Sequence, residues 1–318
     1  MHPVDRVAGM ALGWAPARSR LFSGGWGDPA ALDLLDGLEH LGPPAPIAPA
    51  WGPWERRRDL RLRRGAFPSP LVELPEASRT GHVLQVMPAA GTDRICLLMP
   101  AWNDHGYAAR LALARRLVGH GIGSLLLENP YYGERRSAAD RDPAIRTVAD
   151  FALMGMGAIQ EGRGLVAGLS PVHRVGVAGF SMGGNLAALV SATTQGPLAT
   201  APLAASHSPG PVYLDGILRA GIDWKALAGP ADPEAELRRR LSAVSVLRVE
   251  PPDHARHAVL VAARNDGFVP VDLTRALNRH WPGSELREVA GGHATLWYGA
   301  KPVLARAVVD AFARAYAT

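Results

Sequence analysis

The sequence predicts an α/β fold in which helices cover both faces of a mostly parallel central sheet. Short apolar runs alternate with segments of helical composition from about residue 60 onward, which is the pattern of a sheet built from strand–helix–strand units. Residues 95–99 form a continuous apolar run, as strands buried on both faces do. A second apolar run, 174–180, passes through a glycine-rich turn into an alanine-rich helical segment. The 318 residues are enough to bury a large core around such a sheet.

The first 60 residues are predicted to be a helical arm that packs on the main domain, which takes residues 61–318. Leucines at helical spacing predict a helix over 29–38, with Asp28 as its N-cap ahead of Pro29. Four tryptophans in this segment indicate that it packs against the domain rather than extending into solvent. We therefore expect the sheet to begin only at about residue 60.

Within the main domain, strands and helices follow one another in regular order. Residues 60–63 alternate strictly between apolar and charged types, as a half-buried strand does, and the helix at 107–120 ends at Gly121. Strands are predicted at 60–63, 82–87, 95–99, 123–128, 174–180, 203–205, 259–262 and 285–289, and helices at 107–120, 147–169, 272–280 and 303–316.

Residues 206–253 interrupt this alternation. The segment contains helical pieces at 213–218 and 234–241 but no convincing core strand. Because it follows a strand that comes after the glycine-rich turn, we expect it to lie above the carboxyl edge of the sheet. The sequence thus predicts a helical lid insertion at about 206–253.

The composition is that of a globular protein, with 47% hydrophobic and 20% charged residues. The net charge of +5 comes from arginines that are scattered or next to acidic residues. This indicates solvated helix faces rather than a nucleic-acid surface, and it leaves open a weak peripheral association with anionic membranes.

Cys96, the one cysteine, lies in a predicted buried strand, so no intrachain disulfide is possible. No apolar stretch is long enough for a secretory signal or a bilayer span, and we expect a cytoplasmic protein. No spaced cluster of metal ligands and no phosphate-binding glycine loop is present, so neither a metal nor a cofactor is expected.

The turn at residues 179–183 carries the pattern G-x-S-x-G, with Ser181 at its centre. A serine at a sharp turn from strand to helix is the arrangement called a nucleophile elbow, which needs small neighbours because the backbone is crowded there. Gly179 and Gly183 provide that room. Ser181 is therefore a candidate nucleophile; the alternative is an inert serine in a glycine-rich turn.

A serine hydroxyl needs a base within hydrogen-bonding distance, and an acid that orients this base. Asp266 follows the apolar run 259–262, and His293 follows the strand predicted at 285–289, in the chain order serine, acid, histidine. The 27 residues that separate them leave room for one helix and one strand. Taken alone, each residue has a simpler explanation. Asp266 is then a turn carboxylate that caps the next helix, and His293 is a surface histidine.

Acyl transfer also needs two N–H donors aimed at the developing oxyanion. The backbone N–H of Met182 is one candidate, and that of Trp102, in the loop after the strand at 95–99, is the other. Other polar side chains follow predicted strands and are candidates for substrate contacts: Asn103, His105, Asn129, Tyr131, Tyr132 and His207.

Several motifs stand out in the chain: Leu-Glu-Asn-Pro-Tyr-Tyr-Gly-Glu-Arg-Arg at 127–136, Gly-Phe-Ser-Met-Gly-Gly at 179–184, and the segments 216–224, 281–285 and 291–293. Through them the chain, from about residue 61 to the C-terminus, resembles the α/β-hydrolase superfamily and, more narrowly, the family of α/β hydrolase domain-containing protein 18. The resemblance implies a serine-hydrolase fold with Ser181, Asp266 and His293 as the catalytic triad. It does not imply a particular substrate.

We therefore expect a serine hydrolase that cleaves a carboxylic ester or a related acyl bond through an acyl-enzyme on Ser181. Apolar and aromatic residues in the loops favour a small-molecule ester with a hydrophobic acyl group, and lipid-like esters belong to this class. Thioesterases, peptidases and acyltransferases use the same triad. A non-catalytic, hydrolase-like binding or scaffold protein is the alternative of another class, because Pro100 and Ala101 stand where a histidine–glycine pair is usual.

Overall fold

The computed structural model describes residues 1–16, 19–38, 41–136 and 145–317. Positions 17, 18, 39 and 40 of the predicted arm, and 137–144 and 318 of the predicted main domain, lie outside these ranges. The strands of the described chain are β1 Ala50–Trp51, β2 Glu55–Arg57, β3 Leu60–Pro68, β4 Thr80–Pro88, β5 Arg94–Met99, β6 Gly123–Leu127, β7 Arg174–Phe180, β8 Ala199–Leu203, β9 Val259–Ala263 and β10 Glu285–Val289. Its α-helices are α1 Pro3–Gly13, α2 Pro29–Asp33, α3 Ala108–Val118, α4 Val148–Leu169, α5 Met182–Ala192, α6 Pro209–Leu214, α7 Pro233–Ala243, α8 Val271–His280, α9 His293–Gly299 and α10 Lys301–Ala315.

The strands form one sheet in the order β1-β3-β4-β6-β5-β7-β8-β9-β10, with β2 paired to β3 beside β1. Neighbouring strands are parallel in the run β6-β5-β7-β8-β9-β10. The pairs β1–β3, β2–β3, β3–β4 and β4–β6 are antiparallel. The predicted α/β fold with a mostly parallel sheet is confirmed. Since parallel strands end at the same edge, the loops after β5, β7, β8, β9 and β10 come together there.

Helices cover both faces of this sheet, and a hydrophobic core lies on each side of it. Consecutive residues of a strand point into different cores. Leu97 and Val177 are buried together with the α4 residue Ile159, whereas Leu98 and Ala178 are buried with the α10 residue Phe312. Burial on both faces explains why β5 and β7 read as continuous apolar runs rather than alternating ones.

The sheet extends further towards the N-terminus than the sequence indicated. β1 and β2 both pair with β3, although the sequence placed the beginning of the sheet at about residue 60. β8 lies at 199–203 rather than 203–205, because Ala204 has a φ of +48° and ends the strand. The sequence reading missed the true span because it contains Pro202, a residue that argues against a strand in the interior of a sheet.

Residues 206–253 hold α6, α7 and short 3-10 turns, and their first residues contribute to the cavity described below. That this segment acts as a lid stays a prediction. The helices α1 and α9 were not predicted, and both lie beside the functional site. None of the helices in the described ranges is long and apolar enough to cross a membrane.

Candidate active site

Ser181 lies at the sharp turn between β7 and α5. Its backbone φ of +59° and ψ of −122° are rare for a residue with a side chain. A Cβ on Gly179 would lie 2.2 Å from the carbonyl oxygen of Gly183, and a Cβ on Gly183 would lie 2.5 Å from that of Met99. Larger residues at these two positions would therefore displace the turn that presents the Ser181 hydroxyl at the sheet edge.

His293 and Asp266 come to this hydroxyl from the ends of two neighbouring strands. The Nε2 atom of His293 lies 2.9 Å from Oγ of Ser181, and its Nδ1 atom lies 2.7 Å from Oδ2 of Asp266. A carboxylate can only accept hydrogen bonds, so Nδ1–H donates to Asp266 and Nε2 is left to accept from the serine hydroxyl. The side chain of Asp266 is 1% exposed and that of His293 is 12% exposed.

The second oxygen of Asp266 is held by the backbone of its own loop. Its Oδ1 atom accepts hydrogen bonds from the N–H groups of Phe268 and Val269, at 2.9 and 2.8 Å. The imidazole of His293 packs between two rings, with centroids 4.8 Å from Phe180 and 5.0 Å from Phe268. Hydrogen bonds and packing therefore fix both the acid and the imidazole in one orientation.

The N-terminal helix α1 also reaches this site, through Asp5. The carboxylate of Asp5 is wholly buried, and its Oδ2 atom accepts hydrogen bonds from the backbone N–H groups of Gly267 and His293, both at 2.9 Å. No sequence pattern predicts this contact, because Asp5 lies 262 residues before Gly267 and belongs to no motif. It joins the loop of the acid to the loop of the histidine.

The loop after β5, which carries Trp102, is anchored by a buried ion pair that the sequence reading missed. Arg110 of α3 donates from Nε to the carboxylate of Asp104, and both side chains are 4% exposed. Its Nη1 atom donates to the carbonyl oxygens of Leu98 and Leu127, both at 2.7 Å. Arg110 thus ties this loop to the ends of two central strands.

A cavity of about 510 Å³ opens onto Ser181, and most of its walls are apolar. Trp102, Phe151 and Tyr213 pack against one another on one side, with ring centroids 5.3–6.3 Å apart. The N-terminal segment contributes Ala8 and Leu21 to the lining. Such a cavity can bind an apolar group beside the serine.

Met182 and Asn103 also line this cavity. Met182 is the first residue of α5, so its N–H has no partner inside the helix. Asn103 has a φ of +56° in the turn after Trp102. These positions are compatible with the proposed oxyanion donors and with a substrate contact.

Five other predicted substrate contacts are not among the residues that line the cavity, and their contact with a substrate stays a prediction. The exposed His105 packs edge-on against the ring of Tyr132, 4.7 Å between centroids. His207 pairs with the hydroxyl of Ser245 at 3.2 Å. The remaining three, Asn129, Tyr131 and Tyr132, belong to the loop after β6.

The loop after β6 is held by a fully buried ion pair. Nη2 of Arg135 lies 2.6 Å from Oε1 of Glu161, Nη1 lies 2.7 Å from Oε2, and both side chains are 0% exposed. Arg135 also donates to the backbone oxygens of Ser78 and Glu128. The motif at 127–136 is therefore built around a buried arginine that joins its loop to Glu161 of α4.

None of the described residues forms a group of three or more His, Cys, Asp or Glu side chains that could hold a metal ion. The chemistry that the site offers comes from its own side chains: a serine hydroxyl bonded to an imidazole, an imidazole bonded to a carboxylate, and an apolar cavity beside them. This set of groups is suited to nucleophilic acyl transfer.

Solved structures of esterases share the fold. Acetyl xylan esterase from Paenibacillus sp. R4 is 13% identical with a TM-score of 0.58, over 92% of this chain and 98% of its own. Acetyl xylan esterase 1 from Thermoanaerobacterium sp. JW/SL YS485 is 14% identical with a TM-score of 0.57, over 93% and 97%. Est1E from Butyrivibrio proteoclasticus is 16% identical with a TM-score of 0.54, over 80% and 100%. At these identities the likeness shows the fold alone.

The family model described as alpha/beta hydrolase domain containing 18 matches residues 19–235 and 231–314. The match extends beyond the segment from residue 61 on which the resemblance was first recognised, and takes in most of the N-terminal arm. Together with the sheet order and the serine turn, it establishes that the chain is an α/β hydrolase by fold and belongs to the family of alpha/beta hydrolase domain containing 18.

Proposed function

We propose that the protein is a serine hydrolase that cleaves a carboxylic ester or a related acyl bond through an acyl-enzyme on Ser181. The observation that carries this proposal is the continuous hydrogen-bonded path from the Ser181 hydroxyl through His293 to Asp266, at the wall of an apolar cavity. The far oxygen of Asp266 accepts from two backbone N–H groups of its own loop, which holds the other oxygen towards His293.

In the first half of the reaction, Oγ of Ser181 bonds to the acyl carbon while its proton passes to Nε2 of His293. The tetrahedral intermediate collapses when the bond to the leaving oxygen breaks and His293 gives that oxygen its proton. Water then attacks the carbonyl carbon of the acyl-enzyme and loses a proton to Nε2 of His293. The bond from this carbon to Oγ of Ser181 breaks, His293 returns the proton to Oγ, and the carboxylic acid leaves. Asp266 orients the imidazole throughout and stabilises its charged form without accepting the proton.

The oxyanion of each intermediate would be stabilised by the backbone N–H groups of Met182 and Trp102. Met182 is favoured because it follows the nucleophile and begins α5, where its N–H is free of the helix. Trp102 is favoured because its loop is fixed by the ion pair between Arg110 and Asp104, which gives the donor a defined position. Loss of one such donor costs about 10²–10³ in kcat.

The cavity favours a substrate with a hydrophobic acyl group, because aromatic and aliphatic side chains form most of its lining. The names of the structural neighbours, acetyl xylan esterases among them, make simple carboxylic esters the first class to test. A lipid-like ester, a weak peripheral membrane association and a cytoplasmic location belong to this proposal as well. Thioester, amide and acyl-transfer chemistry are the alternatives within the same mechanism.

The test is labelling by a fluorophosphonate probe, followed by hydrolysis of p-nitrophenyl esters with acyl chains of increasing length. We expect the native protein to be labelled and Ser181→Ala to be inert in both assays. Ser170→Ala is a matched control, because the Ser170 hydroxyl only bonds the carbonyl oxygen of Val166 at the end of α4. A folded native protein that is neither labelled nor active would favour the non-catalytic binding protein, and labelling of Ser181→Ala would identify a different nucleophile.

A further inference from the structure

The inner face of α1 docks directly on the two loops that carry the acid and the histidine. Besides the hydrogen bonds of Asp5, the backbone N–H of His2 donates to the carbonyl oxygen of Asn265 at 2.8 Å, one residue before Asp266. The far oxygen of Asp5 makes a third, longer contact of 3.5 Å with the N–H of Ala294. The first turn of the N-terminal helix thus touches the backbone on either side of the site.

Asp5 is an unusual buried carboxylate, because backbone N–H groups rather than a cation compensate its charge. It is 0% exposed, and no ion pair joins it to an arginine, lysine or histidine within the described ranges. Its Oδ2 atom accepts from Gly267 in one loop and from His293 in the other. One oxygen atom that bridges two loops fixes the distance between them, because both N–H groups must point to the same place.

Two glycines beside the catalytic residues make room for this helix. A Cβ on Gly292 would lie 2.4 Å from Cβ of His2 and 2.5 Å from Oδ2 of Asp5. A Cβ on Gly267 would lie 3.0 Å from Cβ of Asp5. Gly292 has a φ of −112°, which any residue can adopt, so close approach of α1 rather than backbone conformation is what excludes a side chain there.

We propose that Asp5 is a positioning residue, which holds the Asp266 loop and the His293 loop at the separation that the Ser181–His293–Asp266 path requires. The N-terminal helix thereby completes the active site from the opposite end of the chain. This inference rests on the proposed hydrolase function for its kinetic consequences. Its structural consequence, a fixed hydrogen bond between His293 and Asp266, can be measured without a substrate.

The decisive variant is Asp5→Leu, which keeps a side chain of similar shape and leaves the N–H groups of Gly267 and His293 without an acceptor. Displacement of His293 by about 1 Å is enough to lower kcat on the order of 10²-fold. We expect KM to stay nearly unchanged, because Asp5 does not line the cavity. Asp5→Asn keeps an oxygen that can occupy the place of Oδ2 and should recover most of kcat.

A matched control is Asp28→Leu, which removes another carboxylate of the same N-terminal segment. Oδ1 of Asp28 caps α2 by accepting from the N–H of Ala30, away from the site. We expect this variant to keep the native kcat. Native kcat in a folded Asp5→Leu variant would overturn the proposal, as would an equal loss in Asp28→Leu, or an Asp5→Asn variant as impaired as Asp5→Leu.

Gly292→Ala tests the same contact without removing the carboxylate, should Asp5→Leu fail to fold. The added methyl group must push the first turn of α1 away, so kcat should fall as in Asp5→Leu. Gly299→Ala, in the same helix α9, meets nothing within 4 Å and should leave kcat unchanged. If both substitutions act through α1, the double variant of Asp5→Leu and Gly292→Ala will be no worse than the more impaired single variant; additive losses would contradict a shared cause.

Proton NMR separates this inference from the proposed function. The Nδ1–H proton of His293, bonded to the Asp266 carboxylate at 2.7 Å, should give a low-field resonance that is absent in His293→Gln. We expect the resonance to broaden or disappear in Asp5→Leu and to persist in Asp28→Leu. A native protein with the resonance but without labelling or ester hydrolysis would refute the hydrolase function alone, whereas an unchanged resonance in Asp5→Leu would refute the positioning role alone.

Discussion

Replacing Arg135 by methionine should reveal whether the family motif at 127–136 serves stability or chemistry. Methionine has a similar length but no donors, so Arg135→Met would leave the Glu161 carboxylate buried with the Ser69 hydroxyl as its remaining partner. Removing one partner of a buried ion pair costs about 3–5 kcal/mol. That is a large share of the roughly 5–15 kcal/mol that holds a protein folded.

The free energy of unfolding, measured by urea denaturation, is the quantity to compare. Arg238→Met is the matched control, since Arg238 makes a comparable bidentate pair with Asp215, but the two side chains are 41% and 51% exposed. It should lose only about 0–1 kcal/mol. The double variant of Arg135→Met and Glu161→Met removes both buried charges and should recover much of the loss.

Although Arg135→Met should lose stability, we expect no loss of kcat in the same variant. Arg135 does not line the cavity, so the molecules of Arg135→Met that remain folded should keep the native kcat. If the free energy of unfolding of Arg135→Met is less than about 1 kcal/mol below the native value, the cost assigned to the unpaired Glu161 is refuted. A loss of ester hydrolysis at native stability would refute the structural interpretation of the motif.

Two further predictions concern the serine turn and the response to acid. Gly183→Ala should lose fluorophosphonate labelling and about 1–3 kcal/mol of stability, because its Cβ would lie 2.5 Å from the carbonyl oxygen of Met99. Native labelling in that variant would contradict a crowded turn. Burial lowers the pKa of His254 below its ordinary value near 6.5, so the unfolded chain takes up its proton first as the pH falls. The urea-measured stability of the native protein should therefore drop from pH 7 to pH 5 more steeply than that of His254→Asn, by at most about 1.4 kcal/mol per pH unit.

The sequence could predict the serine turn because its whole signal is local. An apolar strand, a glycine-flanked serine and a small-residue helix occupy consecutive positions. The crowding at Gly179 arises within this turn, whereas that at Gly183 comes from the carbonyl oxygen of Met99 at the end of β5. The candidates Asp266 and His293 were found for a similar reason. Each follows its own apolar strand, and parallel strands bring their ends to one edge wherever they lie in the chain.

The residues that the sequence reading missed make contacts between distant segments. Asp5 acts through an oxygen that reaches residues 262 and 288 positions further on, and Arg110 acts through carbonyl oxygens of two strands. No periodicity or motif encodes such a contact. Tyr131 and Tyr132 were expected at the pocket wall because they are aromatic residues after a strand. They are not among the residues that line the cavity, and their loop is held by the buried pair of Arg135 and Glu161.

The partners of the buried carboxylates distinguish what each one does. Asp104 and Glu161 both face a buried arginine, an arrangement that neutralises charge and anchors a loop on the protein core. Asp266 divides its oxygens between an imidazole and its own loop, so it can hold a ring in place and respond when that ring becomes charged. Both oxygens of Asp5 accept hydrogen bonds from backbone N–H groups of two different loops. Asp5 therefore neither neutralises a charged side chain nor orients a ring. A carboxylate bound in that way can only fix backbone positions, and the positions that it fixes are those of the acid and the histidine.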